Sequence, residues 1–146
     1  MFSLGDGHAR QGEGETCGVA VECAMDTVVV IDLIKGHPTP WPRLESDTHV
    51  MSIGSARSLE DAFRIAQLDL VEWIAADRGL SRLDAHQLVT QAVEAPLANV
   101  CDVDHTSVAK IAKQWLPTPT GPVREVHARL RDVGRRYLAG TLGTRP

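Results

Sequence analysis

The sequence predicts an α+β fold: an antiparallel sheet, an αα-hairpin packed against it and a final helix. Three observations carry that prediction. Short apolar runs of strand character occur at 18–24, 26–35 and 48–53, and one returns at 97–103. At Ser58 the hydrophobic period changes from strand-like alternation to about 3.6 and holds to about Val93. Stretches rich in proline and glycine, at 36–43 and 117–122, interrupt both patterns.

Taken in order, Gly18–Ala24 reads as a strand of small residues. Asp26–Lys35 (DTVVVIDLIK) is the strongest strand signal, a β-branched run expected to be buried on both faces. Ala24–Met25–Asp26 could join the two as a hairpin. GHPTPWPR, Gly36–Arg43, has three prolines and must be a loop. Thr48–Ile53 is a further strand. From Ser58 onward, Leu59, Ala62, Phe63, Ala66, Leu70, Trp73 and Ile74 share one helical face, with Glu60, Arg64, Gln67 and Glu72 away from it. Phe63 and Trp73 are expected to be buried on the sheet. Ser58 with Asp61 forms a start signal and Gly79 a stop. Ser81 and Asp84 begin a second helix at once, so the two form a tight hairpin. Leu97–Val103 then reads as a returning strand. Val108, Ile111, Ala112 and Trp115 have helical spacing and predict a short helix. After the linker, Val123, Val126, Leu130, Val133 and Tyr137 trace the stripe of a last helix decorated by five arginines. That near-heptad stripe suits a second subunit and the helix's own domain equally well. The division expected is therefore a domain over 1–116 and a linker, amphipathic helix and tail over 117–146.

Composition narrows the function classes. A chain of 146 residues can bury one real core, and 43% hydrophobic with 23% charged residues is ordinary for a soluble protein. A formal net charge of −4 argues against nucleic acid as the partner, despite the arginines of the last helix. No apolar run approaches the ~20 residues of a membrane span, and the start has no charged-then-apolar leader. Three cysteines, an odd and sparse set, suit a reducing cytoplasm better than a disulfide framework.

The stretch GDGHARQGEGE, Gly5–Glu15, buries no apolar surface, and its glycines raise the entropy cost of ordering it. A protein that keeps such a segment ordered has a use for it. Extended to Glu22 (GDGHARQGEGETCGVAVE), it resembles the signature of the acetamidase/formamidase family, which carries Gly-Asp-x-His, then Gln-Gly-Asp-Gly-Glu, then a small-residue strand ending in Glu. Glu13 stands where most members have aspartate. The resemblance runs in order from about Leu4 to Trp115 and covers VVVIDLIK, THVMSIG, SLEDAFRIAQLDLVEWI and LANVCDVDHTSVAKI. It implies an amidase that releases ammonia from formamide, acetamide and similar small amides, with the sheet part of a β-sandwich in the intact fold. Family members are much longer and carry the signature midway, so the resemblance is to their C-terminal portion. The partners this implies are a small amide and a missing N-terminal half, or further copies of the chain in a homo-oligomer. A catalytically inactive fragment or half of a split enzyme is the competing expectation.

The residue types fit that chemistry. Asp6 and His8, with only Gly7 between them, fall on one side of an extended chain and suit a divalent metal such as zinc. Alone such a pair is more often a surface turn, and the resemblance favours a site. Glu13 and Glu15 are also two apart; close carboxylates do not both ionise cheaply, so one would hold a proton and act as acid. With His8 they make up the expected catalytic set. Gln11 offers an amide to pair with a substrate amide. Cys17, beside Glu15, supports a rival nucleophilic-cysteine mechanism of the nitrilase kind. No lysine precedes Lys35, so Cys17 is expected instead to be a packed residue at the start of a strand.

Overall fold

The structure is a computed structural model that describes residues 4–141. Two antiparallel sheets are present among the described residues. A two-stranded ribbon pairs β1 (His8–Arg10) with β2 (Val21–Glu22), and a four-stranded sheet has the order β3-β4-β6-β5. Its strands are β3 (Arg43–Glu45), β4 (His49–Ala56), β5 (Leu97–Asn99) and β6 (His105–Ala112). Helices α1 (Leu59–Arg78) and α2 (Arg82–Ala92) form the hairpin, and α3 (Val126–Leu138) closes the described chain. The α+β class expected from the sequence is the class observed.

The central pair of strands explains how α1 is seated. On β4 every second residue is buried, Val50, Ser52 and Gly54, and these stand opposite Ile111, Ala109 and Ser107 of β6. The inner face therefore tapers from large to small side chains. Helix α1 matches it, with Leu70 and Ile74 buried toward one end and Ala62 and Ala66 toward the other. At the narrow end, a Cβ on Gly54 would collide with the Ala62 carbonyl oxygen and lie 2.6 Å from the Ala66 nitrogen. Only glycine lets the helix come this close. Val71, Ala85 and Val89 complete the core between the helices and the sheet.

Both helix boundaries follow the expected chemistry. Ser58 Oγ accepts the Asp61 amide at 3.2 Å, and Ser81 Oγ accepts the Asp84 amide at 3.1 Å. Gly79 ends α1 in the left-handed region at φ 65°. An ion pair between a half-buried Arg43 and a buried Asp69 locks α1 to the sheet edge. Arg43 donates from Nε and a terminal nitrogen to the two Asp69 oxygens, each at 2.8 Å, and Ser52 Oγ donates to Asp69 at 2.6 Å. The same guanidinium lies 5.3 Å from the centre of the Trp73 ring. Burial pushes the Asp69 pKa upward, but the Arg43 and Ser52 hydrogen bonds and the Arg43 charge outweigh it and hold the carboxyl below its usual range.

Four expectations need correction. The run 26–35 is not a strand: residues 27–34 are irregular, and Val28, Ile31 and Leu33 are 61%, 75% and 74% exposed. It has the β-branched composition of a buried strand, but no strand among the described residues pairs with it, so no hairpin forms at 24–26. The strand expected over Gly18–Ala24 shrinks to Val21–Glu22, paired with β1. The helix expected over 108–115 is β6 followed by a turn. Its apolar residues fit a helical spacing, but Ser107, Ala109 and Ile111 bury with the alternation of a strand. Phe63 and Leu59 are not buried against the sheet. The buried line of α1 is Ala62, Ala66, Leu70 and Ile74, and Phe63, one residue round the helix, faces α2 across a groove of about 840 Å³ shared with Leu83, His86 and Val89. Trp73 does pack against the core.

The last segment is tied back to this body. The Thr120 and Gly121 amides donate to the Asp77 carbonyl, at 2.7 and 2.9 Å. On α3, His127 and Arg131 reach Asp47 at 3.0 and 2.9 Å, and Arg129 pairs with Asp32.

Two outcomes follow from this packing. In denaturant unfolding, Leu70→Ala should cost about 2–5 kcal/mol, whereas Phe63→Ala should cost no more than about 1 kcal/mol. Because the Asp69 pKa is lowered on folding, its pairing stabilises the fold above the ordinary aspartate pKa of about 3.9 and is lost as pH falls through the lower folded value. Asp69→Asn should flatten that acid limb of stability, measured as unfolding free energy at stepped pH.

Candidate active site

The glycine-rich opening is ordered by two supports. The first is the ribbon. β1 and β2 place His8 directly opposite Glu22, and the Cys23 amide donates to the Gly7 carbonyl at 2.8 Å. A Cβ on Gly7 would meet the Cys23 oxygen at 2.8 Å, so the close approach of the two segments requires glycine there. The second support is β5 with the residue after it. Gln11 Nε2 donates to the Ala98 carbonyl at 2.7 Å, Asn99 Nδ2 donates to Glu15 Oε2 at 2.9 Å, and the Val100 amide donates to the Gly14 carbonyl at 2.9 Å. Three consecutive residues thus clamp three points of the motif.

His8 is at the centre. Its Nε2 lies 3.0 Å from Glu22 Oε1 and 3.3 Å from Asp6 Oδ1, while Nδ1 is 3.0 Å from Gln11 Oε1 and 3.9 Å from Glu15 Oε1. The Nε2 atom is sealed from solvent and has no hydrogen-bond partner of good geometry. Asp6, His8 and Glu22 each direct one ligand atom into a common space, all within 4.8 Å of one another. The hydrogen bond with Gln11 raises the imidazole pKa above its ordinary value; burial opposes this, and the charges of Glu22, Asp6 and Glu15 reinforce it.

The backbone is strained at two of these residues. Asp6 has φ 57° and Glu15 has φ 47°, both in the left-handed region that non-glycine residues rarely adopt. Such outliers persist only where the surroundings over-determine them, and they concentrate at functional sites.

Of the residues singled out in the sequence, Asp6, His8, Gln11 and Glu15 are brought together. Glu13 is exposed and makes no hydrogen bond or ion pair among the described residues. Gln11 has its oxygen turned to His8 and its nitrogen to β5. Cys17 is exposed rather than packed: the strand starts only at Val21, which leaves the thiol in a turn, donating to the Val19 carbonyl at 3.3 Å. Glu22 and Asn99 were not singled out. The signature's strand ends at Glu22, but only the register of the ribbon sets it against His8. Asn99 comes from a strand 84 residues away from Glu15 in sequence.

Solved structures resemble this chain, among them three acetamidase or formamidase structures. A crystal structure of acetamidase from Yersinia enterocolitica is 48% identical, with a TM-score of 0.71, over 73% of this chain and 32% of that one. The chain belongs to the acetamidase/formamidase family. It corresponds to a C-terminal portion of a typical member. A predicted acetamidase/formamidase from Thermoanaerobacter tengcongensis is 26% identical at TM-score 0.61, over 73% of this chain and 36% of its own. An acetamidase from Bacillus halodurans, 23% identical at TM-score 0.60 over 74% and 37%, shares the fold. The chain therefore spans about a third of the length of these acetamidase/formamidase structures. No family model and no curated protein matches it.

In the metal-free protein, the His8 ring should titrate above the ordinary histidine value of about 6.5. Glu22→Gln removes one of the facing charges and should move that midpoint down, read from the ring resonances in an NMR titration with chelator present.

Proposed function

We propose that this acetamidase/formamidase-type chain serves the hydrolysis of small aliphatic amides, of the formamide and acetamide kind, with release of ammonia. The observation that carries the reading is the sealed His8 Nε2, which makes no hydrogen bond of good geometry and faces the carboxylates of Asp6 and Glu22. A lone pair held against two carboxylate oxygens is repulsive, and either a proton on the ring or a metal cation between the groups relieves it; one imidazole with two carboxylates is a donor set suited to zinc. His8, Asp6 and Glu22 would hold that ion. Bound there, it would polarise the amide carbonyl and bring the pKa of water toward about 7. Glu15, fixed by Asn99 and adjacent to His8, is the group positioned to take a proton from the attacking water and return it to the departing nitrogen. Glu13, exposed, would contribute only if substrate or further chain ordered it. The acidic balance of the protein and the small neutral substrate make nucleic acid an unsuitable partner. No helix among the described residues is long and apolar enough to cross a membrane. Three free cysteines are in keeping with a reducing cytoplasm.

A second reading is favoured by the exposed run Val28–Ile34 and by the third of the relatives' length that the chain spans. On that reading the chain is active only with a further polypeptide carrying the remainder of the fold, or as an oligomer, and by itself is a structural module.

Ammonia release from acetamide and formamide separates these readings, assayed with the chain alone and with the remaining portion of the Yersinia enterocolitica acetamidase added. Glu15→Gln should lose about 10²–10⁴-fold in rate, the usual effect of removing a positioned acid or base, while Cys17→Ser keeps it. An inactive Cys17→Ser beside an active Glu15→Gln would overturn the carboxylate mechanism.

A further inference from the structure

We propose that Gln11 is a positioning residue that fixes the orientation and tautomer of His8, rather than a contact for the substrate amide. This rests on the reading of His8 as a cation ligand, and the geometry around Gln11 carries it further. A side-chain amide has a donor end and an acceptor end, and here the ends can be told apart. The nitrogen points at the Ala98 carbonyl, 2.7 Å away, which can only accept. The oxygen is thereby turned to His8 Nδ1 at 3.0 Å, and an amide oxygen can only accept. Nδ1 must therefore carry the hydrogen. In a neutral imidazole this leaves the lone pair on Nε2, the atom sealed beside Asp6 and Glu22. A backbone carbonyl of β5 thus acts, through Gln11, on the ring atom that faces the carboxylates. β5 is part of the four-stranded sheet, so the ring inherits the sheet's rigidity although it sits in a glycine-rich loop.

The arrangement has the form of a metal-ligating histidine whose second nitrogen is held by an outer hydrogen-bond partner. Loss of such a partner typically weakens metal binding by about 10–100-fold. Its occupant is a divalent cation that accepts imidazole nitrogen and carboxylate oxygen together.

The test uses Zn²⁺ alone as the probe, titrated into the full chain in competition with a chromophoric chelator at fixed pH. Gln11→Ala should bind Zn²⁺ about 10–100-fold more weakly, at unchanged stoichiometry and with the same helix and sheet content by circular dichroism. Gln11→Glu keeps an acceptor toward Nδ1 but gives up the donor to the Ala98 carbonyl, so it should bind more tightly than Gln11→Ala and more weakly than the parent. Parent affinity in Gln11→Ala, or Gln11→Glu binding no better than Gln11→Ala, overturns the proposal. If the parent chain binds no Zn²⁺, the ligand reading of His8 fails, and the role of Gln11 is then decided without metal. Long-range ¹H–¹⁵N spectra of the neutral His8 ring should show the hydrogen on Nδ1 in the parent and in Gln11→Glu, and a shift toward Nε2–H in Gln11→Ala. A ring with its hydrogen on Nε2 in the parent, or unmoved by Gln11→Ala, overturns it.

Discussion

The close seat of α1 on β4 at Gly54 is the constraint on which the remaining structure depends. Without a side chain at that position, the Ala62–Ala66 turn comes down onto the strand backbone. This draws Asp69 beneath Arg43 and Ser52 one and a half turns or so further along the helix. The helix then has one permitted angle on the sheet: small residues face small ones at Gly54 and Ser107, and large ones meet at Val50 and Ile111. A buried carboxylate is tolerable only because three hydrogen bonds from Arg43 and Ser52 reach it; removal of Arg43 would leave an uncompensated charge, and removal of Ser52 one unmade hydrogen bond.

From that rigid pair of strands the order passes outward to the polar motif. β6 carries β5 as the sheet's edge, and an edge strand has backbone groups on its free side. Here that side is used rather than blunted: the Ala98 carbonyl, the Asn99 side chain and the Val100 amide take hold of Gln11, Glu15 and Gly14. The glycines of the motif raise the cost of ordering it, and the left-handed backbone at Asp6 and Glu15 adds to that cost. The clamp offsets both. Asn99 is itself oriented, since its oxygen accepts the Asp102 amide at 3.2 Å and this turns its nitrogen toward Glu15.

The sequence made the helical hairpin legible because its signals are local. Ser58, Gly79 and Ser81 each act within a turn of their own position, and no distant contact can reverse a cap. Strands depend on partners, so their signals misled where pairing was decisive. Val28–Ile34 has ideal strand composition but pairs with no strand among the described residues, whereas β6 was hidden because Val108, Ile111 and Ala112 suit either period. Phe63 was misplaced by about 100° of helix rotation, a difference that only the α2 contact defines. In the motif, the grouping of Asp6, His8, Gln11 and Glu15 was visible as dense polarity and as a family likeness. Glu22 needed the ribbon register, and Asn99 needed the tertiary docking of β5. Neither leaves a mark on local spacing.

The exposed run Val28–Ile34 has a consequence for how the isolated chain behaves at high concentration. Its seven residues are six β-branched or leucine side chains and one carboxylate, Asp32, and the cationic and anionic residues nearest to it are Lys35 and Asp26. Windows of this length and composition, with little charge and no proline, are templates for intermolecular strand pairing when they stand in solvent. The folded body would not need to open for copies to stack through this segment. Solubility of the chain is thus set less by the stability of its core than by whatever shields these seven residues.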